Sequence, residues 1–221
     1  MNIFFDMKKP SIDELHNPNN FSLIESFRIE EMMKFLMREL GVNPNSSNQT
    51  KKPLAQKIFF VVLLFIAGGA FGYVIGKQIG QAKVDVWQIA AAFPVLIFIL
   101  LPIHEGIHGL VFKILGAEKV GFGWTPKSLM VYAYAQKFVM SLKENAIVAV
   151  MPFLVISLGL IIALVFIPSY KVLIITTLIL HTYGCLGDFI LIRYYIKNRH
   201  KEMFTYDDID EEGMSYFFEK D

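Results

Sequence analysis

Four stretches of about twenty or more mostly apolar residues dominate this chain of 221 residues. They constrain it before any motif does, because a bilayer core of about 30 Å is crossed by about 20 apolar residues rising 1.5 Å each in a helix. The stretches run from about Leu54 to Gly76, Trp87 to Leu115, Ala146 to Ile167 and Val172 to Tyr195. With 54% apolar and 19% charged residues, the chain is far too oily to be disordered. One cysteine, Cys185, rules out an internal disulfide, and a net charge of +1 points to no nucleic-acid partner. The partner implied is the lipid bilayer. The expected fold is therefore mainly α, a polytopic membrane protein with four transmembrane helices. None of the stretches begins within the first 50 residues, so no cleavable signal peptide is expected and the first span directs insertion.

Lys and Arg are retained on the cytoplasmic side of a membrane. Eighteen of the 21 basic residues fall up to the start of the first span, between the second and third, or at the C-terminal end. Only Lys77, Lys83 and Lys171 remain for the other side. The expectation is a cell-membrane protein with both termini cytoplasmic. It divides into an N-terminal segment (1–53), a four-span domain (54–196) and an acidic tail (197–221). Within the first segment, Leu23, Phe27, Met33, Leu36 and Leu40 mark an amphipathic helix over Ser22–Leu40, packed on the cytoplasmic ends of the spans or lying on the inner leaflet. Asn43–Pro53 reads as a polar linker. Gly68, Gly72, Gly76 and Gly80 form a smooth stripe for helix packing. The alternation Val131-Tyr132-Ala133-Tyr134-Ala135, after a turn at Thr125–Ser128, predicts a small cytoplasmic β-hairpin between the second and third spans. The acidic run Asp207–Glu212 is expected to be solvated.

The second span contains His104-Glu105-Gly106-Ile107-His108. Two histidines four residues apart lie one above the other on a helix, so both imidazoles reach one metal ion. Glu105, about 100° further round the helix, flanks that ion as a base able to take a proton from metal-activated water. His and Glu are costly inside a membrane span and tend to be kept for function. A catalytic zinc usually takes a third protein ligand. Asp188 is the one carboxylate well inside the fourth span, and it stands as far from the cytoplasmic end of its helix as His108 does from the end of its own. Gly184 and Gly187 permit close approach there. His181, seven residues earlier, is the competing ligand or a hydrogen-bond partner. Cys185 is a soft ligand in principle, but a lone buried cysteine is more often a small apolar side chain. Asn145, at the start of the third span, is a helix-end residue or an oxyanion donor.

HEGIH in a second span, Gly187-Asp188 in a late span, and four spans with a hairpin between them resemble the putative zincin peptidases, multi-pass bacterial membrane proteins. More distantly the arrangement is similar to the site-2 protease intramembrane metalloproteases, in which an HExxH helix and an aspartate from a later helix bind zinc. There the late motif usually continues Asp-Gly, whereas Asp188 is followed by Phe189. The resemblance covers about Leu54–Tyr195. Residues and resemblance together lead to one expectation: a membrane-embedded zinc metalloprotease. Zn²⁺ is held by His104, His108 and Asp188, Glu105 is the catalytic base, and the substrate is a membrane-associated protein or peptide, with the hairpin able to add a substrate strand. The alternative is a non-proteolytic metal- or haem-binding membrane protein using histidines of different spans, such as His108 and His181.

Overall fold

A computed structural model describes residues 9–42, 86–125 and 130–221. The first span, its glycine stripe and the polar linker lie outside the described residues. The chain forms two compact units: residues 1–44, 105–152 and 186–221 make one, and residues 45–104 and 153–185 the other.

α3 (Val86–Val95), in the second of these units, passes through a wide π turn (Leu96–Leu100) into α4 (Leu101–Ile114), which from Glu105 on belongs to the first; together they are one 29-residue helical run. Prolines explain the irregularity. Pro102 has no N–H for the carbonyl of Phe98, and its ring would collide with that carbonyl in a regular helix; the wide turn directly before it relieves both problems. α3 packs on α6 (Lys171–Gly184). The buried Gln88 side chain donates to the Ser169 carbonyl at 3.0 Å and accepts from the Leu173 amide at 3.1 Å. It thereby satisfies one of the first N–H groups of α6, which the helix itself leaves unpaired.

Among the described residues two helices are long and apolar enough to cross a membrane, Val86–Ile114 and α5 (Leu142–Phe166). Their side chains show why: Phe98 and Phe166 are 76% and 78% exposed, a surface that hydrocarbon tolerates and water does not. The stretch expected as a fourth span forms two helices. α6 ends at Gly184, α7 (Leu186–Asn198) begins two residues later, and the pair is bent by 48°. Gly184 and Gly187 flank the break, and glycine holds a helix least well of all residues but proline.

The first unit is built on a four-stranded antiparallel sheet in the order β1-β6-β5-β4: β1 (Phe21–Arg28), β6 (Met214–Lys220), β5 (Met203–Asp208) and β4 (Met140–Ser141). The amphipathic helix expected over Ser22–Leu40 is thus corrected in its first half. Phe21–Arg28 is a strand, and only α2 (Met32–Glu39) is an α-helix. Tertiary pairing overrides the local pattern, because β1 finds its partner almost two hundred residues away, Phe21 opposite Lys220. α2 buries Phe35 and Leu36 against Ile190 and Tyr194 of α7, with Phe27 and Phe217 of the sheet closing the same cluster. Phe35 stacks on Phe27 at 4.9 Å. Before β1, the short α1 (Ile12–Leu15) is closed by a capping box between Ser11 and Glu14.

The expected hairpin is present. β2 (Val120–Thr125) pairs antiparallel with β3 (Met130–Ala135). Opposite Gly121 and Gly123 lie the rings of Tyr134 and Tyr132, which fill the space a Cβ would take. The acidic run Asp207–Glu212, expected to be solvated, ends β5 and turns toward β6: residues 210–212 are exposed as expected, Asp208 is buried, and the run pairs with residues that flank the β2–β3 hairpin. Lys119 and the Tyr134 hydroxyl hold Asp210 at 2.7 and 2.5 Å. Lys137 meets Glu211 at 2.6 Å, and Gln136 donates to Asp208 at 2.6 Å while accepting from the amides of Ile209 and Asp210.

Burial pushes the Asp207 carboxyl up to about 6, and the Ser215 hydroxyl that donates to it at 2.7 Å offsets this in part. A raised folded-state value means that the folded protein holds this proton more tightly than the unfolded chain. Stability is therefore lost as pH rises through about 4 to 6, and the full cost stands above that window. Asp207→Asn keeps an acceptor for Ser215 and removes the charge. Thermal unfolding in detergent should show it more stable than wild type at about pH 8, by about 1–3 kcal/mol. That gain should vanish near about pH 4.

Candidate metal centre

The two histidines of the HExxH turn sit on α4, one helical turn apart. His104, Glu105 and His108 are 8%, 7% and 7% exposed, which is deep burial for side chains of a run that otherwise presents much of its surface outward. Gly109, directly after His108, faces the hairpin. A Cβ there would lie 2.9 Å from the Phe122 ring and 3.3 Å from Val120, so a glycine is what lets the hairpin approach the helix.

Both ring nitrogens of His108 have a close neighbour. Nδ1–H donates to the Val148 carbonyl at 3.0 Å, and Nε2 lies 3.4 Å from Oδ1 of Asp188. The Val148 carbonyl is open to this bond for a covalent reason. Its partner in a regular helix would be the amide of residue 152, and residue 152 is a proline inside α5. Pro152 itself is fully buried. Fixing Nδ1 as the donor leaves Nε2 as the lone-pair nitrogen, the usual support of a metal-ligating histidine.

Asp188 comes from the first turn of α7. The break at Cys185 creates that helix start, and the positive end of a helix favours a carboxylate. An unbroken span would have no such positive end at this point.

His104 has a different neighbourhood. Its Nδ1 lies 3.3 Å from Nε2 of His181, one ring donating to the other, with the rings edge to face. Sγ of Cys185 lies 3.9 Å from the same nitrogen and 3.6 Å from that of His181. His181 stacks parallel to Phe153.

Two groups of ligand atoms thus fall within 4.8 Å of one another: His104, His108 and Asp188, and His104, His181 and Cys185. The first is an N, N, O set of three, the number that leaves a catalytic zinc one open position. Two donors about 2 Å from a tetrahedral ion stand about 3.3 Å apart, and the His108–Asp188 separation of 3.4 Å suits that spacing. The residues fit zinc. A haem iron on Nε2 of His108 would bring its porphyrin against the Asp188 carboxylate, which stands 3.4 Å from that nitrogen. Asn145 stands in the first turn of α5, half-buried. Sequence reasoning passes over the Val148 carbonyl, and it gives Cys185 an apolar role where the structure sets its sulfur among ligand atoms. Pro152 is the visible signal for the first, since a proline within a span frees the carbonyl four residues before it.

A mainly helical chain with apolar helices of membrane length and a buried histidine pair beside an aspartate defines the class, a membrane protein with a zincin-type turn. Over residues 97–203, from the π turn to the start of β5, the chain matches the model of a family described as putative zincin peptidase. No curated protein and no solved structure matches it.

Pro152→Ala tests the support of His108 directly. It gives the Val148 carbonyl a competing donor within its own helix, so zinc should be lost to a chelator about 10-fold more readily or worse than from wild type, with the helix content unchanged by circular dichroism.

Proposed function

We propose that this protein is a membrane-embedded zinc metallopeptidase that hydrolyses peptide bonds in membrane-associated proteins. The observation that carries the reading is the His108–Asp188 pair at 3.4 Å, one helical turn from His104 and with Glu105 buried beside it. In this reading His104, His108 and Asp188 hold Zn²⁺. Bound there, zinc supplies Lewis-acid activation of water and polarisation of a peptide carbonyl.

The residues of the chain do the rest. Glu105 takes the proton of the attacking water on a carboxylate oxygen and returns it to the leaving amine nitrogen. Asp188 is an anionic ligand at a helix start, which offsets part of the cation's charge in a low-dielectric setting. The Val148 carbonyl keeps the proton of His108 on Nδ1. Beside the site, the hairpin face carrying Phe122, Trp124 and Val131 is exposed and apolar. It suits an extended substrate segment, apolar because it comes from a membrane.

The membrane is a cell membrane, spanned four times, with both termini and the hairpin on the cytoplasmic side. The eighteen-to-three division of basic residues supports this. Trp87 and Tyr170, in edge-to-face contact beside Lys171, form the aromatic and basic pairing typical of an interface.

Two experiments test the proposal. Purified wild type, Glu105→Gln and Asp188→Ala are compared for bound zinc and for proteolysis. Glu105→Gln should keep the wild-type amount of zinc while activity falls about 10²-fold or more. Asp188→Ala should lose about one equivalent of zinc together with activity. Zinc lost from Glu105→Gln, or kept in full by Asp188→Ala, would sink the assignment. For orientation, Gly80→Cys and Lys127→Cys are made in a Cys185→Ser background and treated with an impermeant thiol reagent on intact cells. Position 80 should label and position 127 should not; the reverse pattern overturns the cytoplasmic placement.

A further inference from the structure

We propose that His104, His181 and Cys185 form a second metal seat, distinct from the His108–Asp188 side of the site, which takes a thiophilic divalent cation such as zinc. Three observations carry it. All three side chains are buried, Cys185 completely, and their ligand atoms converge within 4.8 Å.

The edges of the triangle also match a coordination polyhedron. A tetrahedral zinc with Zn–N near 2.0–2.1 Å and Zn–S near 2.3 Å sets nitrogens about 3.3 Å apart and nitrogen and sulfur about 3.5 Å apart. The three separations here are 3.3, 3.6 and 3.9 Å.

Finally, His181 and Cys185 stand four residues apart at the end of α6. This is the same one-turn relation that brings His104 and His108 together, so the break between α6 and α7 presents an HxxxC pair beside the HExxH pair. A hydrogen bond alone would account for the His104–His181 separation. It does not account for a sulfur placed near both nitrogens at once. Two imidazoles and a thiolate are a donor set that selects zinc and similar cations over magnesium or calcium.

The chemistry is a simple exchange. The cation forms a bond to Sγ, the thiol proton leaves to solvent, and no electron is transferred. His104 offers Nδ1 here, so Nε2 is the nitrogen it has for an ion beside His108 and Asp188. One imidazole then serves two seats: with both filled, His104 gives its single ring N–H proton to solvent and bridges as an imidazolate, so filling one seat changes the charge carried by a ligand of the other. The inference does not depend on peptidase activity.

Cobalt(II) is the probe, because thiolate ligation gives it a charge-transfer band in the near ultraviolet. The full chain in detergent, stripped and reloaded with cobalt, should show this band and bind about two cobalt ions per chain. Cys185→Ser, a near-isosteric change, should abolish the band and about one equivalent of cobalt. His181→Ala should weaken or abolish it as well. Asp188→Ala should keep the band while losing the other equivalent, so failure of the peptidase reading and failure of this one are told apart. Cobalt-loaded wild type without a thiolate band overturns the proposal, whatever the variants do. So does a band of full intensity in His181→Ala, which would mean sulfur binding without the second histidine.

Discussion

The hydrogen bond from His108 to the Val148 carbonyl is the constraint on which the centre depends. An imidazole inside an apolar span must satisfy an N–H without water. A neighbouring helix normally has nothing to offer, because its carbonyls are spent on its own amides. Pro152 changes that by deleting one amide, and α5 then has a carbonyl to give. The same bond decides which nitrogen of His108 carries the proton, and hence which one faces Asp188. A helix irregularity and a tautomer are one fact seen from two sides.

Breaks in regular structure recur around the polar groups of the centre. The π turn before Pro102 precedes the HExxH turn. The 48° bend after Gly184 gives Asp188 a helix start to occupy and leaves Cys185 as the residue that caps α6. A straight span would carry its polar residues on a continuous ladder of satisfied backbone groups, with neither a positive end for a carboxylate nor an open carbonyl for an imidazole. The stability given up in these helices is spent where ligands must be oriented.

Much of this was legible in the sequence, for reasons that are local. The HExxH turn needs only helical periodicity, and the β2–β3 hairpin announces itself through alternation and a Pro-containing turn. Asp188 stood out because a carboxylate in a span demands an explanation. Other features depend on contacts that no local window contains. Phe21–Arg28 has an apolar pattern that suits a helix, and becomes a strand only because β6 pairs with it from the far end of the chain. The acidic run Asp207–Glu212 is solvated at residues 210–212, as it reads, but no local window shows that Asp208 is buried or that Lys119 and Lys137 meet the run. Cys185 reads as a small apolar side chain, since its nearness to His104 arises across eighty residues and through a helix break. Pro152 was visible, but what its missing amide released was not.

The sheet, remote in sequence from the centre, still bears on it through α7. That helix carries Asp188 at its start and, about two turns later, Tyr194. The Tyr194 ring packs edge-on against Phe217 of β6 at 5.5 Å and against Phe35 of α2 at the same distance. Ile190 joins the same cluster between them. The strands that flank Phe217 come from the two ends of the chain, β1 near the start and β5 directly after α7. Closing so large a loop costs little more than closing a small one, because the entropic penalty grows only with the logarithm of length. What the closure gains is a rigid aromatic plug against a helix that would otherwise be anchored on one side. A ligand displaced by about 1 Å is enough to spoil a metal site. The strands and α2 therefore do more than cap the molecule: by fixing the angle of α7 they hold the Asp188 carboxylate opposite His108.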